Sequence, residues 1–461
     1  MDIWINKCNV EEPSQEFKES LIFSIDHEKK ATIYSSIKDV WRRLSVNPIS
    51  SVNEDLSIIA LSVFAIDKRV SRWFTEDKWT RELKVSIPVL NYEKWKCTTE
   101  LWNETLSFLT GDIWNINFRK TTKIYGKYSK RTRNKINISD CTAVSLFSGG
   151  LDSFCGGIKL VSEGESICFV GHNEYPKLAE RQEKLKNSMQ EAYPNQHIEF
   201  LGFTANSRAP YRNNEILKGS ENTSRGRSLL FLSIAVSIAG IIGDNIPVYI
   251  PENGFIGLNI PLTNSRKGTC STRTTHPFFI RKYNEILKTV GINNYINNFF
   301  AYETKREIVN VVKDNNIFKE GVGLTISCSH PCLPRWNKEG DKTYPRNCGY
   351  CYPCLIRKSS LIGLNIEEIY SNENSLSLSF LTGNAPHKVK MNDAIAVINS
   401  LYRYNHLDDY ELKRLIRCTG PLTTEEVNKF LVVYKETMKD ITEMVLENEE
   451  VKQYAGIGSY E

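Results

Sequence analysis

The sequence predicts an α/β protein built on a doubly wound parallel sheet, with an α+β module before it and a helical extension after it. Three observations predict this. Between residue 140 and about residue 320, short β-branched runs alternate with helical segments, the pattern of strands joined by crossover helices. The first of those runs leads into a glycine-rich turn, Ser148-Gly149-Gly150-Leu151-Asp152-Ser153, where a strand would hand over to a helix. Beyond Cys354 the apolar residues recur mainly at helical spacing.

Residues 1–138 read as a separate accessory module. Residues 58–64, followed by Asp67-Lys68-Arg69, suggest a helix with a charged end, and 79–89 ends in the alternation of a strand. Trp73, Trp79, Trp95, Trp102 and Trp114 follow Trp4 and Trp41, and such clustering is expected in a core. Residues 118–137, rich in Lys, Arg, Tyr and Thr, read as a linker or a basic strand pair with solvated charge.

The central segment, 139–365, opens on Thr142-Ala143-Val144-Ser145-Leu146-Phe147, a buried parallel strand by its composition. A helix starts within 154–161. Strands follow at 166–171, 197–203 and 247–251, with helices at 178–193 and 228–243 between them. A sheet wound in this way binds its ligand at the carboxyl ends of its strands, where the loop containing Ser148 falls. The extension, 366–461, predicts helices at 393–404, 409–418 and 424–447, and Thr423-Thr424-Glu425-Glu426 supplies a start signal.

A chain of 461 residues exceeds the usual single-domain size. Its net charge of +5 permits an anionic substrate without indicating nucleic acid. The longest apolar run, 229–242, carries Ser233, Ser237 and Gly240 and is too short for a membrane span. No signal or transit segment is read at the start, so the cytoplasm is the expected compartment. Twelve cysteines there imply reduced thiols and a metal site, not a disulfide frame.

A strand, a glycine turn and a helix start aim free backbone N–H groups at an anion. The Walker spacing is absent. In Cys348-Gly349-Tyr350-Cys351-Tyr352-Pro353-Cys354, three thiols stand at two-residue intervals, and Cys328 lies upstream. Four thiolates suit tetrahedral Zn²⁺. Cys332 and His330 are alternatives for the fourth ligand, and an iron–sulfur cluster or a redox dithiol are rival readings of the same thiols. Cys8, Cys97, Cys141, Cys155, Cys168, Cys270 and Cys418 read as small apolar residues.

The Ser148–Ser153 hexapeptide resembles the PP-loop of the ATP pyrophosphatases, which cleave ATP to AMP and pyrophosphate. Three further segments extend the likeness over about residues 140–365. Arg227-Ser228-Leu229-Leu230-Phe231-Leu232 resembles the Arg-Asn-x-x-Phe-Leu segment of the 7-cyano-7-deazaguanine synthase (QueC) family. Thr304-Lys305-Arg306-Glu307-Ile308 resembles its Ser-Lys-x-Glu-Ile segment, and Cys328 with Cys348, Cys351 and Cys354 its zinc signature. The chain departs from the family at Ser228, where the family has Asn, and in lacking the Tyr-Pro-Asp-Cys-Arg segment. Pro251-Glu252-Asn253-Gly254-Phe255 and Ser271-Thr272-Arg273-Thr274-Thr275-His276 occupy that region. With its long Cys328–Cys348 loop and a module at either end, the chain looks like the enlarged QueC-like proteins of antiphage defence operons, found in the Qat system and type IV CBASS.

The resemblance implies ATP, Mg²⁺ and Zn²⁺ as cofactors. A carboxylate is a poor acyl donor until AMP is transferred to it, and the obstacle is the charge of the neighbouring phosphates. The loop of Ser148, Gly149, Gly150, Leu151, Asp152 and Ser153, with Mg²⁺ near Asp152 and the ammonium of Lys305, would offset that charge. Asp152, Lys305 and Ser153 are the expected catalytic residues, although Lys305 without the resemblance reads as an exposed helical lysine. His172 is expected at the adenine pocket. Arg227, Glu252, Asn253, Arg266 and Arg273 are candidates for reading a deazaguanine or its carboxylate. The implied substrate is 7-carboxy-7-deazaguanine, and the implied product an amide, a nitrile or a conjugate with an acceptor protein of the same operon. An RNA-thiolating enzyme and a nucleotide-sensing scaffold without turnover are the competing readings; Leu151 and the weak basic charge count against the first.

Overall fold

The computed structural model describes residues 1–455 apart from 9–10, 27–30, 47, 127–133, 218, 222–224, 261, 263–272, 337–341, 367, 373–375, 378–380 and 382–387. The β-branched and aromatic runs sort into two sheets. The first is built on β1 (Asp2–Lys7), β2 (Leu21–Ile25), β3 (Ile33–Ser35), β4 (Glu82–Val89) and β5 (Ile113–Lys120), in the order β3-β2-β1-β4-β5. All of these neighbours are parallel; Ile5 pairs with Phe23, Trp4 with Ser86 and Val85 with Ile116. Parallel neighbours need crossovers. Helices α1 (Ile37–Arg43) and α2 (Ser51–Arg69) make the return from β3 to β4, and α3 (Tyr92–Lys96) and α4 (Thr99–Thr110) the return to β5. The α+β expectation for this module is therefore corrected to a largely parallel α/β sheet. Nor is the sheet made by the first 138 residues alone: β9 (Ala205–Ser207), β10 (Tyr211–Arg212) and β11 (Glu215–Ile216) join its edge.

The second sheet contains β6 (Ala143–Leu146), β7 (Ile167–His172), β8 (Ile198–Phe203), β12 (Val248–Tyr249) and β13 (Ile296–Asn297). Its order is β13-β12-β6-β7-β8 and every pair is parallel. The winding reverses between β6 and β12, so the carboxyl ends of those two strands flank a crevice. Alternation along β7 sends Ile167 and Phe169 to one face and Cys168 and Val170 to the other. The first face packs on α5 (Leu151–Ser162), α6 (Pro176–Ala192), α10 (Lys305–Val312) and α11 (Asn316–Gly321). The second packs on α7 (Gly226–Ile242) and α9 (Pro277–Val290).

A helix that is apolar on every side is buried on every side. α7 is of this kind, and α2, buried from Asn53 to Asp67 and apolar along its middle, packs against it between the two sheets, so the first module and the central segment share one core. A polar clasp fixes the pair. Asp67, near the end of α2, accepts from the backbone N–H groups of Arg225 (2.6 Å) and Gly226 (2.9 Å) at the start of α7. Its other oxygen accepts from Arg81 Nη2 at 2.8 Å.

The helical extension contains Lys388–His406, Asp409–Arg417, Thr424–Leu446 and Glu449–Tyr454. Thr423 caps the third of these reciprocally with Glu426. Its core takes in α8 (Gly254–Leu258) and α12 (Tyr352–Leu361) through Phe255, Leu258, Tyr352 and Leu355. The tryptophan expectation holds for Trp95, Trp102 and Trp114, which are buried; Trp73 and Trp79 are 69% and 41% exposed. No helix among the described residues is long and apolar enough to cross a membrane.

Candidate functional site

After Leu146 the chain turns through Phe147, Ser148, Gly149 and Gly150 into α5. Gly149 has φ +77°, which side chains resist, and a Cβ there would meet Gln182 Cγ at 3.1 Å. Gln182 braces the turn by donating from Nε2 to the Phe147 carbonyl at 2.7 Å. Gly150 is the N-cap of α5 and offers no side-chain cap, so first-turn N–H groups are left for other partners. Ser148 Oγ accepts from Gly150 N at 3.2 Å and lies 3.1 Å from Ser153 Oγ, which donates to the Gly150 carbonyl at 3.0 Å. Leu151 is fully buried and serves the loop with its backbone alone.

Asp152, on the first turn of α5, is buried with Lys305, and the two form an ion pair. Lys305 opens α10 behind a capping box, in which Thr304 Oγ1 accepts from Glu307 N at 3.1 Å and Glu307 Oε2 from Thr304 N at 2.7 Å. A cation at a helix N-terminus opposes the helix dipole, and burying it adds a desolvation cost. Asp152 offsets both. Its second oxygen accepts from Asn253 Nδ2 at 2.7 Å and Asn253 N at 3.3 Å. Asn253 is aimed by its other role as N-cap of α8, where Oδ1 accepts from Ile256 N at 3.0 Å. Gly254 permits the close approach that joins this turn to the one before α10: its N–H donates to the Glu303 carbonyl at 2.8 Å, and a Cβ would meet the Ala301 carbonyl oxygen at 2.3 Å.

Register carries three residues to one edge. Ser145 pairs with Tyr249 and Leu146 with Val170, so Ser148 and Glu252 follow the carboxyl ends of β6 and β12 while His172 ends β7. Burial, and then the charge of Asp152, push the Glu252 carboxyl up to about 7, against the pull of Lys305 and a Thr275 hydrogen bond. Burial, then the Arg227 charge, lower His172 to about 4, which keeps its imidazole neutral. Its Nε2 is buried without a hydrogen-bond partner. Arg227 stands at the rim, half-exposed, with Nη1 2.7 Å from Glu174 Oε2.

One candidate falls elsewhere. Arg273 is turned to the first module, where Nη1 donates to the Phe108 carbonyl at 2.9 Å and the guanidinium lies over the Phe108 ring. Arg266 lies outside the described residues. Mg²⁺ beside Asp152 does not fit this arrangement: the Lys305 ammonium already neutralises the carboxylate, and Asn253 occupies its other oxygen.

Cys328, Cys348, Cys351 and Cys354 bring four sulfurs within 4.8 Å of one another. Thiolates about 2.3 Å from a tetrahedral ion stand roughly 3.8 Å apart. Cys348 Sγ to Cys354 Sγ, and Cys351 Sγ to Cys328 Sγ, are both 3.9 Å. Backbone N–H groups of His330 (3.2 Å) and Cys348 (3.3 Å) point at Cys328 Sγ, and that of Cys351 (3.3 Å) at Cys348 Sγ, which favours thiolates. The group can hold a metal ion such as zinc. Cys332 is not among its members.

A strap, the segment from Thr325 to Cys328 that leads into the cysteine signature, joins this centre to the glycine turn, a contact the sequence does not announce. Ile326 N donates to the Gly149 carbonyl at 2.9 Å, and Ser327 Oγ accepts from Leu151 N at 3.3 Å. The buried Arg357 holds the strap through Thr325 Oγ1 at 2.6 Å, and Asn347 Oδ1 accepts from Ser327 N at 3.0 Å. Ser327 precedes a metal-site cysteine, which was the one available signal. Compared with models of known protein families, the chain matches none.

Proposed function

We propose that the chain activates a 7-deazaguanine carboxylate, 7-carboxy-7-deazaguanine, with ATP, releasing pyrophosphate, and transfers the acyl group to an amine in antiphage defence. The product on this reading is an amide-linked conjugate with an acceptor protein of the same operon, or the nitrile 7-cyano-7-deazaguanine. The observation that carries the reading is the convergence of the Gly149–Gly150 turn, Asp152, Asn253 and Lys305 at the switch-point crevice. Lys305 supplies positive charge where a carboxylate meets a polyphosphate, and Asp152 and Asn253 orient it. The N–H groups of Gly149, Asp152 and Ser153, with the Ser148 and Ser153 hydroxyls, bind phosphate oxygens, while Gly150 N and Leu151 N are held by Ser148 Oγ and Ser327 Oγ. His172, neutral and with a buried Nε2 that lacks a partner, supports an adenine contact there. Arg227 remains a candidate for the deazaguanine.

Zinc is the ion assigned to the four cysteines, where it would brace the strap from a closed, structural site. Mg²⁺ would enter with the nucleotide phosphates, its usual partners. The test is pyrophosphate release from ATP with and without 7-carboxy-7-deazaguanine, in the wild type and Asp152→Ala, with product masses. Release that needs the carboxylate and fails in the variant supports the proposal. Release that is absent even with ammonia and operon partners removes it and favours a nucleotide-sensing scaffold.

A further inference from the structure

Resting on that reading, we infer that Glu252 is the proton acceptor of the transfer step, taking the N–H proton as the amine closes on the activated acyl carbon. Glu252 follows the carboxyl end of β12, across the switch point from the glycine turn, and its neighbour Asn253 reaches Asp152 through both N and Nδ2. The other carboxylates described there are engaged: Asp152 by Lys305 and Asn253, and Glu174 by Arg227. Among the described residues no cation pairs with Glu252. The groups that face it are Asp152 from α5, Lys305 from α10 and Thr275 from the turn before α9. Asn298 fixes its backbone from the adjoining strand end, accepting from Glu252 N at 3.3 Å and donating to its carbonyl at 2.8 Å.

The chemistry needs such a group. An amine that attacks an acyl adenylate forms a C–N bond, the C–O bond to AMP breaks, and AMP departs with that electron pair. The nitrogen must shed one proton. Lys305 is taken up by its ion pair with Asp152, and His172, lowered to about 4, is too weak a base. A carboxyl group near 7 is matched to the task, ionised often enough to accept and basic enough to be driven. Glu252 then returns the proton to solvent.

The experiment compares two nucleophiles in the full-length protein with ATP and 7-carboxy-7-deazaguanine. Ammonia needs a base; hydroxylamine is nucleophilic enough to do without one. In Glu252→Gln, amide formation from ammonia is expected to fall about 100-fold or more, and hydroxamate formation by less than about tenfold. Plotted against free-base ammonia, the wild-type rate rises through pH 7, and the variant loses that limb. Glu252→Asp keeps the carboxylate and should keep the limb at a lower rate. Equal losses with both nucleophiles, an unchanged pH profile, or rescue of Glu252→Gln by excess Mg²⁺ would overturn the assignment. If the wild type yields neither pyrophosphate nor hydroxamate, the proposed function itself fails, and this inference fails with it.

Discussion

Lys305 is the residue whose chemistry depends most on one neighbour. Replacing it with Met leaves the Asp152 carboxylate buried without a cation, which should cost roughly 3–5 kcal/mol in a denaturant titration. Adding Asp152→Asn should recover most of that stability, yet pyrophosphate release should stay below about one-hundredth of wild type. Recovery of activity with stability would reduce the pair to a structural role. Glu252 makes a second prediction, on pH. A carboxyl group raised in the folded state stabilises the fold below its unfolded value and loses that contribution as pH rises through the folded one. With a folded value of about 7, stability should decline between pH 5 and pH 7.5, by at most about 3 kcal/mol. Glu252→Gln should flatten the slope in melts across that range, and an unchanged slope would assign it to other groups. Neither partnership was legible in the sequence. Asp152 and Lys305 stand 153 residues apart, and only folding shows that one neutralises the other.

At the scale of elements, the strap from Thr325 to Cys328 is where the cysteine centre meets the glycine turn. Ser327→Ala removes two hydrogen bonds, from Leu151 N and from Arg357 Nη1. Nucleotide affinity should fall about fivefold to tenfold while metal content is unchanged. Stripping the metal with a chelator should raise amide exchange at both 325–328 and 149–151. Exchange confined to the cysteines would disconnect the two. Strands and helices with a clear period were readable: β6, β7 and β8, α7, and the capped helix Thr424–Leu446 all fall where apolar pattern and cap signals place them. The strap was not, because it has no period; its hydrogen bonds go to a turn far away in sequence. The first module was misread for a related reason. Alternation identifies a strand such as β4, but the direction of its neighbour depends on which distant strand it pairs with.

For the whole molecule, the two sheets stand or fall together through α2 and α7. Asp67 ties these helices to Arg81 and to the first N–H groups of α7. Burial alone would raise its carboxyl, but Arg81, the Gly226 N–H and Arg72 hold it below the ordinary value. Such a depressed group stabilises the fold above the unfolded carboxylate value and loses that contribution as pH falls below about 4. Asp67→Asn should destabilise both sheets in one transition, by about 3 kcal/mol or more. Two separate transitions would mean that the module folds independently of the central sheet. What the shared core achieves is a crevice edge with Ser148, Glu252 and His172 at or just beyond the carboxyl ends of three adjacent strands. The most direct test of that edge as an ATP-splitting site is pyrophosphate release with 7-carboxy-7-deazaguanine. The account predicts release that depends on the carboxylate and is abolished in Asp152→Ala, with an amide, nitrile or protein adduct in the mass spectrum. Release that ignores the carboxylate, or survives in Asp152→Ala, would contradict it.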